Sequence, residues 1–368
     1  MKIVAVIILI ILVFFPILAT ASQQSYEYDL ESKYDVEIYD VKTEDDSSIT
    51  LTRYVGCKRP SIILIHGMGS NHLSFDWDEN HSLARFLAKD GFDVWLLDLR
   101  THDADGDFFF DRNCNREKIC RYWDFDNTYV KIDTVTAIEF IKNKTGFNKV
   151  ILSGHSIGGY VAYAYAQLLG EEDLAGIIAI ASSPYADPRF PRKTIDFFHF
   201  VDKFGFRIGK RAYVRPFGLP FKHLSKFRAR LALIAYEPHP DIFYNYATPE
   251  YIQKKIFYHS DSEPAGVCVD MFYGKDPELY DFHWVDPQTL YDYSINMYKI
   301  TVPILFIAGD EDPQDPKVDI YSAYLNVSST VKEFYSFSKH SHMDLLLGDD
   351  ASTLIFPNIT NWLNNLPS

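Results

Sequence analysis

Short runs of aliphatic and β-branched residues recur along this chain, separated by stretches whose apolar positions fall at helical spacing. Residues 61–65 (Ser-Ile-Ile-Leu-Ile) and 92–97 (Phe-Asp-Val-Trp-Leu-Leu) read as buried strands, with residues 82–88 helical between them. Residues 150–152, 175–181, 302–308 and 333–337 supply four more strands, and residues 133–141 carry a helical pattern just before the first of these. Continuous apolar strands alternating with helices predict an α/β fold, a mostly parallel sheet with helices on both faces. Residues 26–55 alternate apolar and polar positions more strictly, which predicts antiparallel strands at one edge.

That rhythm breaks between residues 185 and 299. Proline and aromatics crowd there, as in Phe197-Phe198-His199-Phe200, Pro216-Phe217-Gly218-Leu219-Pro220-Phe221 and Phe282-His283-Trp284. A segment of this length is too long for a structureless loop, and it sits between two core strands. It is expected to form an aromatic-rich cap over the C-terminal edge of the sheet. Most of its rings would hold the cap together, and the rest would line a substrate pocket.

The first residues follow neither pattern. Lys2, the apolar run from Ile3 to Phe15, and Ala19-Thr20-Ala21 have the order of a signal peptide ending in an A-x-A cleavage site. The expected organisation is therefore a signal peptide (1–21), a first part of the core (22–184), the cap (185–299) and the rest of the core (300–368). Secretion follows from it; the alternative is a membrane anchor left uncleaved, since the run approaches a short spanning helix. Four cysteines suit an oxidising compartment. Cys114 and Cys120 are close enough for a local disulfide, while Cys57 and Cys268 form a second pair or remain buried thiols. No C-x-x-C spacing suggests structural zinc.

Composition narrows the partners. Apolar residues at 47% exclude a disordered chain, and 368 residues suffice for one large α/β domain with an insertion. A formal charge of −14 argues against a nucleic-acid partner, which needs clustered Lys and Arg. It also weighs against electrostatic docking on anionic membranes, leaving transient contact with a lipid surface open. Oligomeric state is not legible.

The chemistry is concentrated at Gly154-His155-Ser156-Ile157-Gly158, a G-x-S-x-G nucleophile elbow between a strand and a helix. Such a turn strains the serine backbone and crowds the positions two before and two after it, so both favour glycine. Ser156 is then exposed beside the positive end of a helix. A serine needs a base, and the base needs a carboxylate; in this architecture they follow in the order Ser, Asp or Glu, His. The strand at 302–308 ends in Gly309-Asp310-Glu311-Asp312, where G-x-x-D spacing puts Asp312 on the following turn, with Asp310 as the alternative. The strand at 333–337 leads to both His340 and His342. Both sites lie past strand C-termini, where open α/β sheets bind ligands. Oxyanion donors are expected from the backbone N–H of Ile157 and of Met68, in His66-Gly67-Met68-Gly69. His66 and His155 read as structural.

Leu64-Ile65-His66-Gly67-Met68, Asp90-Gly91-Phe92-Asp93-Val94-Trp95, Tyr122-Trp123-Asp124-Phe125 and Gly154-His155-Ser156 together resemble the acid lipases, gastric and lysosomal. His342-Met343-Asp344-Leu345 matches that family's H-x-D-F pattern, which favours His342 as the base. The resemblance covers roughly residues 50–170 and 300–350. It departs at Arg100-Thr101, where the family has Arg-Gly, at Ile157, where it has Gln, and throughout the cap. It implies an α/β-hydrolase that cleaves lipid or other apolar esters through an acyl-enzyme, with no metal or cofactor. An amide or C–C hydrolase on the same triad, or a non-catalytic binding protein, are the alternatives.

Overall fold

Strand β3 (Lys58–Ile65) pairs in parallel with β4 (Phe92–Asp98) on one side and β5 (Val150–His155) on the other, so the connection between β3 and β5 passes through a neighbour. Parallel pairing continues through β6 (Leu174–Ile180), β7 (Ile304–Gly309) and β8 (Lys332–Phe337). At the far side, β2 (Ser48–Tyr54) runs antiparallel to β4, and β1 (Val36–Lys42) lies outside it. The eight strands stand in the order β1-β2-β4-β3-β5-β6-β7-β8. This is a computed structural model; it describes residues 34–100, 102, 124–185, 247–256 and 280–367, with 213, 214, 243, 259, 261, 263, 264, 267, 270, 271 and 274. The chain divides into residues 1–36 and 37–368, and the sheet with its helices belongs to the second unit.

The central strands read as unbroken apolar runs because both faces are covered. On one face Ile63, Trp95, Leu152, Ile177 and Phe306 form a continuous core with helices α2 (Val135–Thr145) and α3 (Ile157–Leu169). Helix α4 (Lys317–Asn326) adds Ile320 and Ala323 to that core. The other face carries the buried Ile62, Leu64, Val94, Ile151, Ile178 and Leu305. It is covered by α1 (Leu83–Lys89) and α5 (Phe356–Asn364), whose Phe86 and Phe356 rings meet at 5.5 Å. Helix α1 starts where the sequence suggests: Ser82 accepts from the Arg85 N–H and caps it. Each fully buried aliphatic side chain here stabilises the fold by about 1.5–3 kcal/mol.

Two features differ from the sequence reading. A wide π-helical turn, Phe125–Thr134, precedes α2, where only a plain helix from 133 is expected. It is held by Asp124 capping the Asn127 N–H and by Arg100, which forks onto buried Asp133 at 2.6–3.1 Å. Cys57 is an exposed free thiol, neither buried nor bridged, because it lies on the short link between β2 and β3. The expected leader, Cys114, Cys120, Cys268 and most of the 185–299 segment lie outside the described residues. Of that segment, Trp284 joins the main core, stacked on Tyr293 at 3.9 Å and edge-on to Phe125 at 5.3 Å. Among the described residues no helix is long and apolar enough to cross a membrane.

Candidate active site

Parallel strands bring their C-terminal ends to one edge, and every residue singled out for chemistry follows such an end. Ser156 stands between β5 and α3 with φ 53° and ψ −122°, a region costing about 1–3 kcal/mol for a side-chain-bearing residue. The surroundings enforce it. The Ser156 N–H donates to the Ile180 carbonyl at 2.9 Å, and Ser182 Oγ donates to the Ser156 carbonyl at 2.8 Å. The flanking glycines are required by contact: a Cβ on Gly154 would lie 2.0 Å from the Gly158 carbonyl carbon. A Cβ on Gly158 would lie 2.1 Å from the Ile65 carbonyl oxygen. Helix α3 thus begins pressed against the end of β3, its first N–H groups directed towards the serine.

The turn after β3 completes this corner. A Cβ on Gly67 would sit 3.3 Å from Ser156 Cβ, so the turn that carries Met68 lies directly against Ser156. His66 fixes that turn. The Leu99 N–H donates to its Nε2 at 3.2 Å, which leaves the proton on Nδ1, donated to the Gly67 carbonyl at 2.8 Å. Beyond it, Asn71 Nδ2 donates to the His259 carbonyl at 2.8 Å and to Asp261 at 2.7 Å, while the Asp261 N–H donates to Gly69 at 2.8 Å. His72 adds two hydrogen bonds to Asp98 at the end of β4, from its backbone N–H at 2.6 Å and its Nδ1 at 2.5 Å. Burial opposes charge on His72, but Asp98 outweighs it and raises the imidazole pKa.

Across the same edge, His342 Nδ1 bonds Asp312 Oδ2 at 2.8 Å, with both residues buried. Asp312 Oδ1 accepts from the N–H groups of Gln314 and Asp315 at 2.8 and 3.1 Å, which fixes the carboxylate in the turn after β7. The competing residues sit elsewhere. Asp310 pairs with Lys317 at 2.9 Å, and His340 Nε2 pairs with Asp350 at 2.8 Å. His155 is buried with its ring 4.6 Å from that of His342, and its Nε2–H donates to the His342 carbonyl at 3.0 Å. Burial and then the neighbouring His342 hold its pKa well below the ordinary imidazole value, so it is neutral.

Three contributors are absent from the sequence reading. Asp315 is buried, 3.9 Å from His342 Nδ1, and Tyr160 from α3 donates its hydroxyl to it. The spacing Asp312-Pro313-Gln314-Asp315, two acids one turn apart before a helix, is the signal that marks it. Asn71 and Asp261 are 190 residues apart and leave no local pattern to find.

A family model described as "Alpha/beta hydrolase family" matches residues 62–344. The chain belongs to the α/β-hydrolase family. This hydrolase is 24% identical over 362 residues to gastric triacylglycerol lipase of Rattus norvegicus, covering 90% of this chain and 86% of that protein. The acid-lipase resemblance is thereby borne out. It is also 28% identical over 188 residues to sterol esterase 2 of Saccharomyces cerevisiae, covering 45% of this chain but only 34% of that relative's length. Among solved structures, a thermophilic esterase from Thermogutta terrifontis superposes with a TM-score of 0.59 at 16% identity, over 90% of this chain and 100% of that one. That likeness shows the fold alone.

Proposed function

We propose that this α/β-hydrolase is a secreted enzyme that cleaves lipid or other apolar esters through Ser156, His342 and Asp312. The chain is a carboxylic ester hydrolase, as its lipase and esterase relatives indicate. The observation that carries the finer reading is the 2.8 Å bond from His342 Nδ1 to buried Asp312, across the sheet edge from a serine in a strained elbow. With Nδ1–H committed to Asp312, the other nitrogen of His342 is the basic one. Ser156 Oγ attacks the ester carbonyl and passes its proton to His342 Nε2. The N–H groups of Met68 and Ile157 receive the oxyanion. Collapse expels the alcohol, protonated by His342, and leaves an acyl-serine that a His342-activated water hydrolyses.

Secretion rests on the leader pattern of residues 1–21, with chain start near Ser22 and a Cys114–Cys120 disulfide in the mature protein. The test of the triad is fluorophosphonate labelling. The wild-type protein should be labelled at Ser156, and folded Ser156→Ala should lose both label and hydrolysis of p-nitrophenyl esters. More than a few per cent residual activity would remove Ser156 from the role.

A further inference from the structure

A second carboxylate stands behind the first at His342. Asp315 Oδ2 lies 3.9 Å from His342 Nδ1, against 2.8 Å for Asp312 Oδ2. Asp315 is buried, only 3% exposed, immediately before the Pro316 cap of α4. Its Oδ1 accepts the Tyr160 hydroxyl and, at 2.8 Å, the Ser183 N–H; its own N–H donates to Asp312 Oδ1 at 3.1 Å. Two donors on Oδ1 lock the side chain with Oδ2 turned to the imidazole. A buried carboxylate is costly in water-free surroundings unless charge or hydrogen bonds compensate it. An imidazolium formed at His342 during turnover would supply that charge.

We propose that Asp315 is a positioning residue that acts through His342: it stays anionic, stabilises the imidazolium jointly with Asp312, and holds the ring's tautomer when Asp312 is lost. The inference rests on the triad reading above.

Among the described residues, the carboxylates within 4 Å of His342 Nδ1 are Asp312 and Asp315; buried Asp344, two residues on, accepts from the Thr248 hydroxyl and the Ser341 N–H. From the end of β5 it faces His155, neutral at 4.6 Å between ring centres. From α3, Asp315 faces Tyr160 and Tyr163, whose phenol pKa values are raised by burial and then by Asp315, so both stay neutral. Removing an anion beside His342 weakens its protonated form and lowers its pKa. The acid limb of kcat/KM reports the neutral base of the free enzyme and should move the same way.

Asp315→Asn keeps the shape and an acceptor for Tyr160 and Ser183. With a p-nitrophenyl ester, its acid limb should move down by about one pH unit, while plateau kcat falls less than about tenfold. Asp310→Asn, the same charge change at a residue paired with Lys317, should leave the limb in place. An unmoved limb in a folded Asp315→Asn protein that still takes up fluorophosphonate overturns the proposal. Should that variant not fold, Asp312→Asn decides. With Asp315 left to hold the ring it should keep at least roughly tenfold more turnover than His342→Ala; equal losses overturn the proposal. Full activity in Ser156→Ala would instead sink the triad itself.

Discussion

His155 donates from Nε2 to the backbone carbonyl of His342 at 3.0 Å, tying the elbow that carries Ser156 to the loop that carries His342. The two halves of the site come from residues 187 positions apart, and this bond registers one on the other. His155→Leu leaves the His342 carbonyl buried without that donor, at a cost of about 1–3 kcal/mol. Misplacement of the imidazole should lower kcat by roughly ten- to a hundredfold, with KM changed little. His155→Gln, which restores a donor, should recover part of the loss. Stopped kinetics on both variants check this; full activity in His155→Leu would show the bond to be dispensable. The titration sign is fixed as well. The folded pKa of His155 is depressed by burial and by His342, so the unfolded chain binds more protons near about pH 6.5. Its contribution to stability is present above that pH and lost as pH falls.

The neighbours of the triad provide the sharpest contrasts. Asp312→Asn should cost at least about a hundredfold in kcat, and His342→Ala more. Asp310 is paired with Lys317 outside the site, so Asp310→Asn should stay within about twofold. His340 is buried and bonded to Asp350 and to the Ser338 carbonyl, so His340→Ala should lower melting temperature while leaving kcat within a few-fold. Steady-state kinetics beside thermal unfolding separate the two kinds of loss. A reversed order within either pair would reassign the acid or the base.

The elements legible in the sequence were those whose signal is local. β5 and α3 announce themselves because an apolar strand, two contact-enforced glycines and an apolar helix lie in one run. Asp312 is readable from its distance past β7, and His342 only with the acid-lipase pattern beside it, since His340 has equal reach along the chain. Asp315 was hidden by chemistry: a second Asp before a helix looks like an ordinary helix-start residue until Tyr160 and Ser183 are seen to clamp it. The π-helical turn at 125–134 was hidden by geometry, because its periodicity differs from the helix it opens. Asn71 and Asp261 depend on a contact that only the folded chain makes.

Acid should stabilise the packing around Asp126, Asp286 and Tyr293. Burial, and then a carboxyl–carboxyl hydrogen bond and repulsion from Asp286, push Asp126 up to about 7, although the Tyr293 hydroxyl bonded to it acts the other way. Asp270, buried nearby and accepting from the Phe125 N–H at 2.9 Å, is also raised. For a carboxyl whose folded pKa lies above its unfolded value, stability is fully present below the unfolded value of about 4 and is lost as pH rises through about 7. Asp126→Asn offers a neutral donor to Asp286 at every pH. It should raise the melting temperature at pH 8 and flatten its dependence between pH 4 and 7. An unchanged slope would mean that Asp126 and Asp286 do not share a proton.

Acyl-chain preference is the remaining discriminator of substrate. Trp284 and Tyr293 are committed to the core, stacked at 3.9 Å beside Phe125 and Tyr160. The rest of the 185–299 segment is rich in phenylalanine, as in Phe197-Phe198-His199-Phe200. Burying each methylene of an acyl chain stabilises the complex by about 0.8 kcal/mol. If that burial is made in the transition state, kcat/KM should rise several-fold with each added pair of carbons until the site is full. A p-nitrophenyl ester series from acetyl to palmitoyl, run below micelle-forming concentrations, reads this directly. The expected optimum is a medium or long chain. Ser156→Ala run in parallel removes any contribution from surface-catalysed hydrolysis. A maximum at acetyl or propionyl would leave the triad in place and turn the reading from a lipase to a short-chain esterase.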